Sequence, residues 1–234
     1  MGHPSSRSLT FGRSGPELRF LGPAVVALTG APMNFTLDGS AIPMWTRKHV
    51  KAGQKLKIGK TTGGGCRSYL AVYGGFPKVA DYFGSKSTSP LVAIGGYQGR
   101  ALAPGDLLAM VDEVPKNLGG HPSVPEHLRP QYPTSWEIMA MPGPHQEGYL
   151  TNEDVDMIYS SELKVSHNAS RSGVRLIPPR APQWARKDGG EGGSHPSNLV
   201  EYGYPLGTLN WTGDDPCIFP IGLFKSLISQ GVNR

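Results

Sequence analysis

Cysteine is scarce in this chain. Only Cys66 and Cys217 occur among 234 residues, too few for a disulfide framework, and the expected state is two reduced thiols in a cytoplasmic protein. No run of 18 apolar residues exists, so a transmembrane helix is not expected. Met1 to Thr10 lacks the apolar stretch that a secretory signal needs. Charged residues make up 18% of the chain and apolar ones 38%, a balance that still permits a packed core and argues against wholesale disorder. No His/Cys cluster has the spacing of a metal site, and neither a Ser-His-Asp order nor a nucleophile elbow is present. A net charge of +5 is mild for this length, and nucleic-acid binding would require more than that.

Glycine and proline, by contrast, are abundant, at 32 and 22 residues. That density excludes long helices and coiled coils. The length suits one ordinary domain or two small subdomains. From Arg47 to Lys60 the chain carries Arg47, Lys48, Lys51, Lys55, Lys57 and Lys60 with no acid. This run reads as an anion-facing strand pair or as one solvated sheet face, and the alternation Lys55-Leu56-Lys57-Ile58 favours the solvated face.

Short strands with turn punctuation are expected through the first half. They are Leu18 to Leu21, Ala24 to Leu28, Phe35 to Leu37, Ile42 to His49, Lys55 to Ile58, Ser68 to Tyr73, Leu91 to Ile94 and Leu107 to Val111. Asp38-Gly39 marks a hairpin. Five prolines between Pro115 and Pro133 break the pattern and suggest a subdomain boundary. Trp136 to Met141 is expected as a strand. Thr151-Asn152-Glu153-Asp154 predicts a capped helix running to about Ser160. Leu163 to Val165 and Val174 to Ile177 are further strand candidates. A second Pro/Gly loop follows, from Pro178 to Pro196. The tripeptide His-Pro-Ser at His3, His121 and His195 is assigned to turn chemistry.

Several segments carry chemistry. Gly53 to Thr61 ends like a phosphate loop, but its spacing is one residue too long, and ATP binding there is rejected. In Thr61 to Arg67, the amides of Gly63, Gly64 and Gly65 beside the Arg67 guanidinium form a candidate cradle for a carboxylate or developing oxyanion; a tight turn with a solvated Arg is the alternative. Ser166 to Gly173 offers Asn168 and Arg171 for planar amide or carboxylate groups, or is simply a surface loop. Glu191 and His195 lie in the second glycine-rich loop. Asp214 and Asp215 are adjacent acids, suited to accepting a proton if desolvated; a solvated Asp-Asp-Pro turn is the alternative. Sequons at Asn34, Asn168 and Asn210 suggest a weaker reading, a secreted glycan-binding β-protein.

Five stretches go further: Leu28 to Met33 (LTGAPM), Lys60 to Tyr73 (KTTGGGCRSYLAVY), Tyr82 to Gly99 (YFGSKSTSPLVAIGGYQG), Ser166 to Leu176 (SHNASRSGVRL) and Asp188 to Pro216 (DGGEGGSHPSNLVEYGYPLGTLNWTGDDP). Together they resemble the second part of the carboxyltransferase domain of urea carboxylase, the biotin-dependent component of urea amidolyase in fungi. The resemblance covers Leu18 to Pro220. A related bacterial subfamily forms a subunit of 5-oxoprolinase, but the wording of the last two stretches favours the urea carboxylase branch.

The resemblance implies a mainly β fold of cyclophilin-like β-barrel subdomains with few short helices. It implies that carboxybiotin arrives on a carrier domain, loaded by a separate ATP-dependent biotin carboxylase domain, and that its carboxyl group passes to a urea nitrogen to give allophanate. Gly63 to Gly65 and Arg67 are then candidates for the ureido oxygen. Asp214 or Asp215 would accept from urea N–H groups, Asn168 and Arg171 would fix urea or the biotin ring, and Glu191 and His195 are secondary candidates. No resident metal is implied.

Residues 1–17 read as an atypical leader, 18–220 as a partial carboxyltransferase domain and 221–234 as an atypical tail. The family's Ser-Gly-Pro-Met-Asp stretch, from the first part of the domain, is missing. A chain lacking opening and closing segments is expected to be inactive alone. The alternative is a non-catalytic or partner-dependent subunit related to ATP-dependent 5-oxoprolinase.

Overall fold

A computed structural model describes residues 8–143, 145–170, 172–190, 193–199 and 203–220. Among them the chain is mainly β, with one α-helix, and divides into two compact units, Met1–Trp136 and Glu137–Arg234. The division falls just past the proline-rich stretch 115–133.

The first unit is built from two four-stranded antiparallel sheets. One has the order β1 (Ser8–Phe11), β8 (Ser68–Val72), β3 (Ala24–Gly30), β6 (Arg47–Val50). The other runs β2 (Glu17–Arg19), β7 (Lys55–Thr61), β4 (Met33–Leu37), β5 (Ser40–Ala41). Residues 8–17, assigned to the leader, thus supply β1 and the start of β2. The two sheets share one core. Val26, Leu28 and Leu70 come from the first, and Phe35, Leu56 and Ile58 from the second; Phe20 and Phe76 close it. Strand β7 alternates as its sequence dictates: Leu56 and Ile58 are buried while Lys55 and Lys57 are exposed. Lys55 makes a surface ion pair with Glu17 at 3.5 Å, so the basic run is a solvated face along β7, and β7 is a strand rather than a phosphate loop. The Asp38-Gly39 hairpin forms between β4 and β5, with φ of 48° and 83° at its two turn residues.

Three expected strands do not form. Leu91 to Ile94 is a tight loop closed by a Ser89–Ile94 bridge, with Ala93 at φ 52° and Leu91 96% exposed. Leu107 to Val111 stays irregular; Leu108 and Met110 still pack against the core. Trp136 to Met141 has no ladder partner among the described residues, and Trp136, Ile138 and Met139 are exposed. In each case the apolar content is real but no neighbouring edge pairs with the segment. Ile42 to His49 is also not one strand, because Pro43 to Thr46 interrupts it before β6.

The second unit holds α1 (Asn152–Ser160) and a four-stranded antiparallel sheet of order β11 (Leu209–Thr212), β12 (Asp215–Ile218), β10 (Val174–Ile177), β9 (Lys164–Val165). The helix starts where the sequence predicts. Thr151 caps it, and Asp154 reaches back to the cap amide to complete a capping box. The hairpin β11–β12 is not among the expected strands; Asp214-Asp215-Pro216 reads in the sequence as a turn. Pro216 is tolerated because its pair with Trp211 is the non-hydrogen-bonded one next to the Thr212–Asp215 closing pair, and β10 pairs with β12 only at Cys217 and Ile218, so no ladder bond is required from its nitrogen. All three sheets are open, and no closed barrel occurs among the described residues.

Candidate functional site

The turn of the β11–β12 hairpin is two residues long, Gly213-Asp214, with Thr212 paired to Asp215 across it. This geometry separates the two adjacent acids. Asp215 is the first residue of β12 and is exposed. Asp214 is lifted onto the turn, where the side chains of Trp184 and His195 face it.

The indole N–H of Trp184 donates to Asp214 Oδ1 at 2.9 Å. His195 Nε2 lies 3.4 Å from the same oxygen. On the far side of the imidazole, Nδ1 accepts from the Ser197 amide at 3.1 Å and lies 2.8 Å from Ser197 Oγ. A nitrogen that accepts from an amide carries no proton, so neutral His195 holds its hydrogen on Nε2, facing Asp214. Ser197 Oγ in turn accepts from the Gly213 amide at 3.1 Å, which ties the loop to the hairpin. The His195-Pro196-Ser197 tripeptide therefore does act through turn chemistry. Ring contacts frame the cluster: Trp184 meets His195 edge-on at 5.5 Å and Trp211 at 5.6 Å.

Two sequence features make this arrangement possible. The loop must fold back tightly on residues 195–198, and Gly190 permits it. A Cβ there, at φ 77°, would fall 2.5 Å from His195 O and 2.7 Å from Asn198 O. The loop must also hold Trp184 in place. The Asp154 carboxylate, fully buried, accepts from Arg180 Nη1 at 2.6 Å, from the Gln183 amide at 3.0 Å and from the Trp184 amide at 3.2 Å. Burial alone would raise the Asp154 pKa; the Arg180 guanidinium, the Gln183 amide and the two Thr151 donors outweigh it and hold it at about 2.

Chemically, Asp214 is a carboxylate with one oxygen anchored by donors. Its side chain is 49% exposed, which leaves acceptor capacity for a ligand N–H. The partly exposed Trp211, edge-on to the buried Trp184, adds apolar ring surface.

The remaining candidates are distributed as follows. Asn168 sits in the exposed loop between β9 and β10; its amide donates to Ser166 Oγ at 3.2 Å, and its side chain points to no partner among the described residues. Arg171 and Glu191 lie outside the described residues. In the first unit, Gly63, Gly64 and Gly65 lead into β8. Gly64 is demanded by close approach, since a Cβ there would collide with Tyr132 O and Pro133 O. The half-buried Arg67 donates, among the described residues, only to the weak acceptor Cys66 Sγ at 3.8 Å. Its fork of donors is otherwise uncommitted there. Among the described residues no group of three His, Cys, Asp or Glu side chains could hold a metal ion. Sequence reasoning missed Trp184 and Ser197 and saw Asp154 only as a helix-cap residue; Ser197 carried a signal, two residues from His195 in the repeated His-Pro-Ser.

Comparison with known proteins places the chain. The family model "Carboxyltransferase domain, subdomain A and B" matches residues 3–221. The chain belongs to this carboxyltransferase family. Among curated relatives, the domain is 62% identical over 207 residues to a putative urea carboxylase of Emericella nidulans, covering 88% of this chain and 16% of that protein. It is 36% identical over 150 residues to one of the 5-oxoprolinase subunits of Escherichia coli, covering 64% of this chain and 46% of that one. The crystal structure of the Kluyveromyces lactis urea carboxylase superposes with a TM-score of 0.80 at 38% identity, covering 93% of this chain and 20% of that one. The carboxyltransferase domain thus spans about a sixth of the length of its urea carboxylase relative in Emericella nidulans.

Proposed function

We propose that this carboxyltransferase domain serves a biotin-dependent urea carboxylase, and that Asp214 accepts an N–H of urea while that nitrogen receives a carboxyl group to give allophanate. The observation that carries the reading is the anchored, half-exposed Asp214 carboxylate, held at Oδ1 by Trp184 and faced by His195. Urea is a neutral planar diamide, and an oriented carboxylate is the acceptor its N–H groups require. The 62% identity to a putative urea carboxylase, against 36% to a 5-oxoprolinase subunit, supports urea over a cyclic amide.

Carboxybiotin, when bound, supplies the activated carboxyl group. Within the unit that carries Asp214, the partly exposed Trp211, edge-on to Trp184, offers ring surface to a flat ureido group. Asp214 would fix the attacking nitrogen and take its proton as the new N–C bond forms, while the carboxyl carbon's bond to the biotin nitrogen breaks and that nitrogen regains a proton. His195, protonated on Nε2, steadies the carboxylate. Arg67 and the amides of Gly63 to Gly65, in the first unit, remain candidates for an oxyanion from the sequence. Asn168, Arg171 and Glu191 remain candidates for holding urea or the ring. ATP is consumed elsewhere, in a biotin carboxylase domain. That domain, the biotin carrier domain and the first part of the carboxyltransferase domain are the partners this reading requires. The two free thiols, Cys66 and Cys217, fit a cytoplasmic setting.

The test is urea-dependent turnover of the assembled enzyme carrying this domain. Asp214→Asn is expected to lower it by about 100-fold or more, the usual worth of a positioned proton acceptor. Asp215→Asn is expected to change it by no more than about 2-fold, as for an exposed surface side chain. Full activity in Asp214→Asn would sink the assignment. Turnover with a cyclic amide instead of urea would favour the 5-oxoprolinase branch.

A further inference from the structure

Asp154 is 60 positions from Asp214 in sequence, yet one continuous set of contacts joins them. The Asp154 side chain is 0% exposed, and every donor described around it belongs either to its own helix cap or to the loop 180–184. A capping box needs only the Thr151 bonds. The further bonds, to Arg180 and to the Gln183 and Trp184 amides, do nothing for the helix. They hold the backbone that leads into the Trp184 Cα. Trp184 is 6% exposed, and its one polar side-chain atom is spent on Asp214 Oδ1.

We infer that Asp154 is a positioning residue for Asp214, acting through the backbone of Gln183 and Trp184 and the Trp184 indole; this rests on the reading of Asp214 as the urea acceptor. Of the two groups facing Asp214 Oδ1, the Trp184 indole makes the shorter contact, 2.9 Å against 3.4 Å for His195. The indole can hold that place only if its backbone is held. Asp154 supplies this with a charged, buried acceptor, and charge-assisted bonds of this kind are about twice as strong as neutral ones. Arg180 keeps the carboxylate ionised, so the clamp does not depend on pH near neutrality.

Three variants test the inference: Asp154→Asn, which keeps size and capping ability but removes the charge; Trp184→Phe, which keeps the ring but removes the N–H; and the pair combined. In the assembled enzyme, each single change is expected to lower urea-dependent kcat/KM by about 10- to 100-fold, the effect of a misplaced reacting group. The double variant is expected to be no worse than the weaker single, because both changes cut the same link. Multiplicative losses would overturn the inference, as would an Asp154→Asn enzyme that melts lower yet keeps wild-type kcat and KM.

A second readout does not require activity. In the 234-residue chain with 15N-labelled tryptophan, the signal that Trp184→Phe deletes is the Trp184 indole. It is expected to shift in Asp214→Asn and again in Asp154→Asn. A Trp184 signal that moves in Asp214→Asn but not in Asp154→Asn overturns the inference whatever the turnover. If both shift while Asp214→Asn keeps full turnover, the link stands and the urea assignment is what fails. Should Asp154→Asn not fold, Arg180→Gln probes the same clamp from its half-exposed side, with the same expected shift and the same overturning result.

Discussion

Two carboxylates on neighbouring residues, Asp214 and Asp215, show how little an individual residue's type decides. Taken alone, the adjacent aspartates read first as a solvated Asp-Asp-Pro turn and only second as a proton acceptor. The fold separates them, giving one to a turn beneath the Trp184 indole N–H with His195 beside it and the other to an exposed strand start. Asp154 has the opposite history: its capping role was legible from Thr151 three residues earlier, while its contacts with residues 180–184 were not. Its titration makes a prediction at this scale. The folded pKa is about 2, against about 3.9 for an ordinary aspartate. A depressed carboxylate stabilises the fold wherever the pH exceeds the unfolded value, and that contribution is lost as pH falls from about 4 to about 2. Melting temperature is therefore expected to drop more steeply through that window in the wild type than in Asp154→Asn. Parallel curves would show that Asp154 is not held as described.

Among the elements, β7 and α1 were legible because each obeys one local rule. Strand β7 alternates with period two, and its buried residues are Leu56 and Ile58. Leu56→Ala is accordingly expected to cost about 2–5 kcal/mol, while Lys57→Ala on the same strand should change stability by no more than about 0.5 kcal/mol. Denaturant unfolding of both variants checks the pattern, and equal costs would contradict the burial of alternate positions. The segment 61–67 obeys a different constraint. Gly64 lies against the Tyr132 and Pro133 carbonyls, so Gly64→Ala should cost about 1–3 kcal/mol even though the residue looks like a loop position. Leu91 to Ile94 and Trp136 to Met141 misled for the converse reason. Apolar, β-prone residues make a strand only where a partner edge exists, and neither segment has one among the described residues.

At the scale of the whole molecule, the two units each carry one free thiol. Cys66 is exposed in the first and Cys217 is buried in the second, where desolvation also raises its pKa. Thiol titration of the native chain is expected to find one fast-reacting cysteine, with the second released only when the second unit unfolds. Two fast thiols in the native chain would mean that β10 and β12 do not cover Cys217. No helix among the described residues is long and apolar enough to cross a membrane.

Composition, periodicity and the long glycine-rich stretches determined, ahead of any structure, a mainly β chain with one capped helix and membership of the carboxyltransferase family. These are local properties, written in neighbouring residues and in runs that can be matched as words. The tertiary structure alone decided that Pro216 lies in a strand, that Asp214 rather than Asp215 is gathered with His195, and that Trp184 and Asp154 stand behind it. The acid cluster depends on contacts between residues about 20 to 30 positions apart, where spacing carries no signal. What brings such residues together is the requirement that buried polar groups find partners, and only the packed chain reveals which partners those are.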